Sequence, residues 1–213
     1  MKVNIHKPFS YKIASTEIDY DFTELRKDQR FLATKEPKDK AITGYRNWVG
    51  DFDSAKSKKD FINKHFRILE SYPDLKKLIL DAFHVFSSNV YGPKKFEIST
   101  SWLNEIRDGE HIPPHNHTNC VFSGVLYYDT YDEKSAILNL RNPIDIGNDL
   151  FCQQEVEAQL RPFTGGCYFF PALMMHSSSM HKGKERYSLA FNFVLTEPVY
   201  NYDSSIDLSW LSS

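Results

Sequence analysis

Hydrophobic positions change texture along this chain, from a weakly alternating start through helical stretches broken by a polar loop to alternation beyond about residue 92. Residues 1–20 alternate weakly through Val3, Ile5, Phe9, Tyr11 and Ile13, which predicts one or two short strands at a sheet edge. Residues 20–33, DFTELRKDQRFLAT, read as a charged helix with Asp21 or Thr23 as its N-cap. The polar stretch 34–60, broken by Gly44 and Gly50, reads as loop, and its Tyr45 and Trp48 read as packing residues. From Ser57 or Lys58 the spacing becomes helical, with Phe61, Ile62, His65, Phe66, Ile68 and Leu69 on one side until Pro73 intervenes. A second helix is expected from about Asp74 to just before Gly92-Pro93, with Leu75, Leu78, Ile79, Ala82, Phe83 and Phe86 inward.

After Gly92 the strand pattern starts at 95–102 and is followed by a loop, 103–114, ending in Pro113-Pro114. A proline disfavours helix in the residue before it, so the chain enters His115 extended. Further strands are expected at 119–129, 135–141, 154–160, 166–170 and 186–195, with Asn142-Pro143, Gly165-Gly166 and Lys182-Gly183 among the turn formers between them. Helices first and short strands afterwards predict an α+β, mainly β fold, a jelly roll or related double-sheet barrel with helices packed outside. We expect one integrated domain, 1–94 acting as a support region and 95–213 as the core.

Composition narrows this picture. Lys+Arg 26 against Asp+Glu 28 leaves a formal charge of -2, so no global field recruits nucleic acid or an anionic membrane. Aromatic residues reach 15%, a high share that fits a β-rich core with a lined pocket. Cys120, Cys152 and Cys167 show neither an even count nor a CxxC spacing, which points to a reducing compartment and a cytoplasmic protein. No stretch approaches the roughly 18 apolar residues of a spanning helix.

The chemistry gathers in HIPPHNHTNCVFSGVLYY (111–128) and FFPALMMHSSSMHKGKERYSLAFNFVL (169–195). In an extended segment His115 and His117, two apart, point to the same side, and His176 supplies a third imidazole. Imidazole suits iron, zinc, copper and nickel, and a three-ligand face leaves open positions. Arg186 follows His176 by ten positions inside a strand-like run. A guanidinium buried in a barrel needs an anion, and it binds carboxylate in bidentate fashion. Alternation places Ser123, Val125 and Tyr127 on one face and Gly124, Leu126 and Tyr128 on the other. His65 and His84, among apolar helical neighbours, read as packed or surface residues, and His181 as a surface-loop residue.

The order HxH, SGVLYY, GGCYFFPALMMH, RYSLAFNF over residues 96–195 resembles the iron(II)/2-oxoglutarate-dependent dioxygenases, and in particular a prolyl-hydroxylase-like branch of bacterial and phage oxygenases. That resemblance implies a double-stranded β-helix of cupin-like type. It also implies Fe(II) held by His115, His117 and His176, and 2-oxoglutarate gripped at its far carboxylate by Arg186. Ser188, in an RxS pattern, Tyr127, Ser123 and Asn104 are the implied additional co-substrate contacts. O2 and a small-molecule or peptide substrate complete a hydroxylase, with succinate as co-product and selectivity in the N-terminal helices and the Tyr45–Trp48 loop.

One departure stands out: the family's usual first motif is HxD or HxE, and none of the 8 histidines here carries it. His117 occupies the carboxylate position, which leaves a metal complex one negative charge short. Glu110 and His111 are near enough in sequence to contribute to the ligand set. Three rivals stay open on the residues alone. They are a cupin-like dioxygenase independent of 2-oxoglutarate, a non-catalytic zinc-holding domain that recruits Cys120 or Cys167, and a plain β-sandwich with incidental histidines.

Overall fold

A computed structural model describes residues 11–33, 46–48, 67–141 and 157–197. Helix α1 (Thr23–Ala33) begins where expected, because the Asp21 carboxylate accepts the Thr23 backbone N–H at 3.0 Å and its hydroxyl at 2.6 Å. A 3₁₀ turn, Ile68–Ser71, leads into helix α2 (Pro73–Tyr91), which starts on a proline whose missing N–H costs nothing there. Gly92, at φ 78, lets the chain leave the helix. Leu75, Ile79, Phe83 and Ser87 form the buried stripe of α2, whereas Leu78 is 39% exposed. A stripe following every fourth residue turns slowly around the helix and leaves Leu78 on its edge. Of the helix expected from Ser57 or Lys58 to Pro73, residues 57–66, with His65, lie outside the described residues, as does Cys152, and its last stretch, Ile68–Ser71, is a 3₁₀ turn rather than α-helix.

Nine strands are described: β1 (Ala14–Glu17), β2 (Arg46–Trp48), β3 (Phe96–Ile106), β4 (Phe122–Leu126), β5 (Leu138–Arg141), β6 (Glu157–Leu160), β7 (Gly166–Pro171), β8 (His176–Ser178) and β9 (Arg186–Leu195). They form a six-stranded sheet in the order β1-β7-β4-β9-β3-β2 and a three-stranded sheet β6-β5-β8, with every named pair antiparallel. This is the double-stranded β-helix, mainly β with helices outside it. Strand β3 runs four residues beyond the expected 95–102, so Asn104 sits in a strand rather than a loop. Its edge also pairs with β2 where sequence predicted only loop, and β4 is shorter than 119–129 because the chain still bends at 118 and 119.

The large sheet is buried on both faces. On one face Leu189, Phe191 and Phe193 of β9, Phe169 and Cys167 of β7 and Leu126 of β4 pack against α2. Phe83 is the centre of that packing, stacked on Phe193 at 3.8 Å and edge-on to Phe96, Phe122 and Phe169. Gly124 lets β4 lie beneath the Phe191 ring, since a Cβ there would meet Phe191 Cε2 at 2.3 Å and the Tyr168 carbonyl oxygen at 2.9 Å. The other face, with Val125, Tyr127, Tyr168 and Phe170, closes over the small sheet through Leu138 and Leu140. Tyr127 and Tyr128 thus divide between two cores, as strand alternation requires.

Truncating Phe83→Ala removes the ring on which both helix and sheet depend, and is expected to cost about 3–5 kcal/mol in urea unfolding. Val85→Ala, at a position 66% exposed on the same helix, is expected to stay within about 0.5 kcal/mol of the parent. Equal effects at the two positions would show that α2 is not packed in this phase.

Candidate active site

Two of the three histidines are joined through the backbone. His115 N–H donates to the His176 carbonyl at 3.0 Å and His176 N–H to the His115 carbonyl at 2.9 Å, an isolated antiparallel bridge. Directly opposed residues put their side chains on the same side, so the two rings approach to 4.1 Å between centroids. His117 N–H is held by the Ala172 carbonyl at 2.9 Å, which brings its ring to 5.3 Å from His115 and 5.1 Å from His176. One nitrogen from each ring lies within 4.8 Å of the others.

The second nitrogens explain how the rings are aimed. His115 Nδ1 faces the Pro113 carbonyl and His176 Nδ1 the Met174 carbonyl, each at 2.9 Å. A carbonyl can only accept, so both Nδ1 atoms carry the proton and both Nε2 atoms are free acceptors. Burial, and then the neighbouring His115, push His176 down from 6.5 to about 3. Burial and His115 likewise lower His117. Neutral imidazoles are the form that binds metal. A cluster of three imidazole nitrogen donors with no carboxylate or thiol in it fits a divalent transition ion such as iron(II).

The other candidates fall elsewhere. Glu110 Oε2 accepts the Arg107 N–H at 2.8 Å, closing the turn at Gly109, and His111 is exposed. His181 is no surface residue: it is 2% exposed, and its Nδ1 accepts the Ala136 N–H at 3.2 Å. Its Nε2 meets the Lys184 carbonyl, so it braces the turn before β9. His84 is half-buried on α2, facing the Phe96 carbonyl at 3.3 Å. Cys120 is half-buried and Cys167 lies in the aromatic core across the sheet, neither in the histidine cluster.

The histidines open on a cavity of about 490 Å³ between the two sheets. Strand β9 sends Arg186, Ser188, Ala190 and Asn192 into it, and β3 sends Thr100, Trp102 and Asn104. Arg186 is 3% exposed. Its Nη1 donates to the Ala136 carbonyl at 2.7 Å, and its guanidinium carbon lies 5.1 Å from the centre of the Tyr127 ring. Its Nε and the Ser188 hydroxyl are buried without a partner, and no carboxylate of the described residues pairs with it. Asn104 stands opposite Ser188 in the β3–β9 register. Ser123 has a partner: its hydroxyl donates to Asn192 Oδ1 at 2.8 Å. Sequence reading passed over Asn192, Thr100 and Trp102. Counting by twos from Arg186 and from Asn104 reaches all three.

By architecture the chain falls in the broad class of double-stranded β-helix proteins that gather metal-binding side chains at the mouth of the barrel. Residues 100–192, which hold the three histidines, Arg186 and Asn192, match the family described as "Putative 2OG-Fe(II) oxygenase". Over that stretch the chain is similar to the iron(II)/2-oxoglutarate-dependent oxygenases, enzymes whose cofactors are iron(II) and 2-oxoglutarate. None of the curated proteins matches its sequence. Among solved structures it is similar to an oxidoreductase of the 2OG-Fe(II) oxygenase family from Burkholderia pseudomallei, at 14% identity over 85% of this chain and 84% of that one, TM-score 0.54. A Pseudomonas putida prolyl-4-hydroxylase aligns at 14% identity over 87% and 93%, TM-score 0.54. HygX from Streptomyces hygroscopicus, with nickel and 2-oxoglutarate bound, aligns at 9% identity over 87% and 83%, TM-score 0.56. No described helix is long and apolar enough to cross a membrane.

The lowered His176 predicts an acid-sensitive metal-free protein. Between about 3 and 6.5 the unfolded chain binds a proton that the folded chain refuses, so stability is full above 6.5 and falls as pH drops. In chelator-treated protein, going from pH 6.5 to 5 is expected to cost on the order of 1–2 kcal/mol from this group. His176→Asn should flatten the pH dependence of the urea midpoint, and an unchanged slope in that variant would refute the linkage.

Proposed function

We propose that the protein is a hydroxylase in which His115, His117 and His176 hold iron(II) while Arg186 grips the far carboxylate of 2-oxoglutarate. The observation that carries this reading is the buried, acid-free arginine in the same cavity as three convergent imidazoles. Leaving a buried cation uncompensated costs several kcal/mol, so the site is built for an anion to enter. The Ala136 carbonyl fixes one arm of the guanidinium and the Tyr127 ring fixes its plane, which leaves Nε directed at a carboxylate oxygen. The Ser188 hydroxyl, also unpartnered, donates a second hydrogen bond to the same group, and Asn104 reaches it from the neighbouring strand.

The Pro113 and Met174 carbonyls hold His115 and His176 with Nε2 toward the ion. Bound there, iron(II) with 2-oxoglutarate and O2 supplies the oxidant for hydroxylating a substrate C–H bond, with succinate and carbon dioxide released. The apolar lining of Val125, Leu138 and Phe170 keeps water from that reaction, and a small molecule or a peptide segment is the substrate. Cys120 and Cys167 are unpaired thiols, in keeping with a cytoplasmic protein. The buried arginine argues against a cupin-like enzyme that dispenses with 2-oxoglutarate. The thiol-free cluster argues against a closed structural zinc site.

Anaerobic titration with Fe(II) and 2-oxoglutarate is expected to develop the visible charge-transfer band of the chelate. In Arg186→Ala the concentration of 2-oxoglutarate needed should rise by roughly 100-fold, while Fe(II) affinity holds. Wild-type protein giving no band and no 2-oxoglutarate-dependent succinate would defeat the assignment, and equal 2-oxoglutarate affinity in Arg186→Ala would remove the arginine's role.

A further inference from the structure

A ligand imidazole needs an acceptor for its second nitrogen, otherwise neither its proton nor its ring angle is fixed. His115 and His176 each take a backbone carbonyl two residues upstream. His117 has a different neighbour: it lines the cavity together with Asn192, whose side chain acts on its ring as a polar partner. Asn192 is 5% exposed, and it stands at the middle of a polar row that crosses three adjacent strands. In register it is opposite Ser123 of β4 on one side and Thr100 of β3 on the other. The Ser123 hydroxyl donates to Asn192 Oδ1 at 2.8 Å, and Asn192 Nδ2 donates to Thr100 Oγ1 at 3.1 Å. Both ends of the amide are therefore held, and Oδ1 is presented as an acceptor on the cavity side.

We infer that Asn192 is the positioning residue of the metal site: its Oδ1 keeps the proton on one nitrogen of His117 and turns the other to the ion, with Ser123 and Thr100 locking the amide. Trp102 completes the clamp by lying nearly parallel to the His117 ring, at 5.6 Å and 20°. The inference rests on His117 being a ligand. It adds a reason that a histidine works in a position where a carboxylate would need no orienting partner. A carboxylate offers equivalent oxygens in any rotation about its axis, whereas an imidazole offers one usable nitrogen in one plane and one protonation pattern. The loop around His117 supplies no carbonyl in the role that Pro113 and Met174 play, and the strand row supplies the amide instead.

Cobalt(II) binding to the chelator-treated full chain tests this without turnover, using the d–d absorption spectrum and a calorimetric dissociation constant. Asn192→Leu is expected to weaken Co(II) binding by roughly 10–100-fold and alter the band pattern. Asn192→Asp, which keeps an acceptor oxygen in place, should restore binding to at least the parent affinity. Thr100→Val and Ser123→Ala, which loosen the amide without removing it, should each weaken binding by a smaller factor. A merely structural Asn192 gives another pattern: a lowered melting temperature with unchanged Co(II) affinity, or Asn192→Asp failing as Asn192→Leu does. Either result overturns the inference. Wild-type protein that binds no Co(II), or His117→Ala that binds it as the parent does, removes the underlying ligand assignment and the inference with it.

Discussion

A sheet covered on both faces has to satisfy two environments with one alternating chain, and strand β9 shows how strictly. Leu189, Phe191 and Phe193 enter the aromatic core beneath α2, while Arg186, Ser188, Ala190 and Asn192 enter the cavity. A slip of one residue would drive the guanidinium into the phenylalanines and put Phe191 where the amide of Asn192 belongs. Pairing with β4 on one side and β3 on the other prevents that slip. The precision of the site is thus inherited from the core packed on the opposite face of the sheet. Phe83, packed against Phe193, contributes to placing Asn192 one residue away.

Charge follows a complementary logic. His176 and His117 are buried enough to disfavour their charged forms, and no carboxylate or thiol joins the cluster. Arg186 brings a permanent positive charge with no acid of the described residues paired with it. With a divalent cation held at one end, as proposed, and a guanidinium at the other, the cavity would be strongly positive until something anionic entered. A dicarboxylate that spans both ends resolves the two demands together, which a monoanion at either end does not. With His117 in the place of a carboxylate ligand, as proposed, this asymmetry would be larger and the incoming anion a larger share of the electrostatic balance.

The two halves of the metal cluster are joined by backbone rather than by side chains. The bridge between His115 and His176 fastens the loop after Pro114 to the edge of the small sheet, and Ser178 extends it by accepting the Ile112 N–H at 2.8 Å. His181 then anchors the following turn through Ala136, whose carbonyl in turn receives Arg186. A residue with no contact to the cavity therefore sits one peptide group from the arginine that defines it. The histidine cluster and Arg186 share one hydrogen-bonded frame.

The sequence by itself determined what depends on covalent geometry. HxH in an extended segment, the period of two from Ser123 to Tyr127, and the Asp21 cap all follow from local backbone rules, and the structure keeps them. The resemblance carried by GGCYFFPALMMH and RYSLAFNF was likewise legible, because those runs hold both the chemistry and the strands that present it. Tertiary structure alone decided the matters that depend on a partner. Strands β2 and β8 are three residues each and exist because a neighbouring edge completes their hydrogen bonds, which no pattern in three residues can announce. His181 is buried because the 135–137 segment lies over it, and Leu78 is exposed because the helix is rotated about its axis by what it packs on. Asn192 acquires its meaning only when Thr100 and Ser123, some 92 and 69 positions away, come into register beside it. Local periodicity is written in each segment, whereas pairing and burial are relations between segments, fixed only when the sheets close.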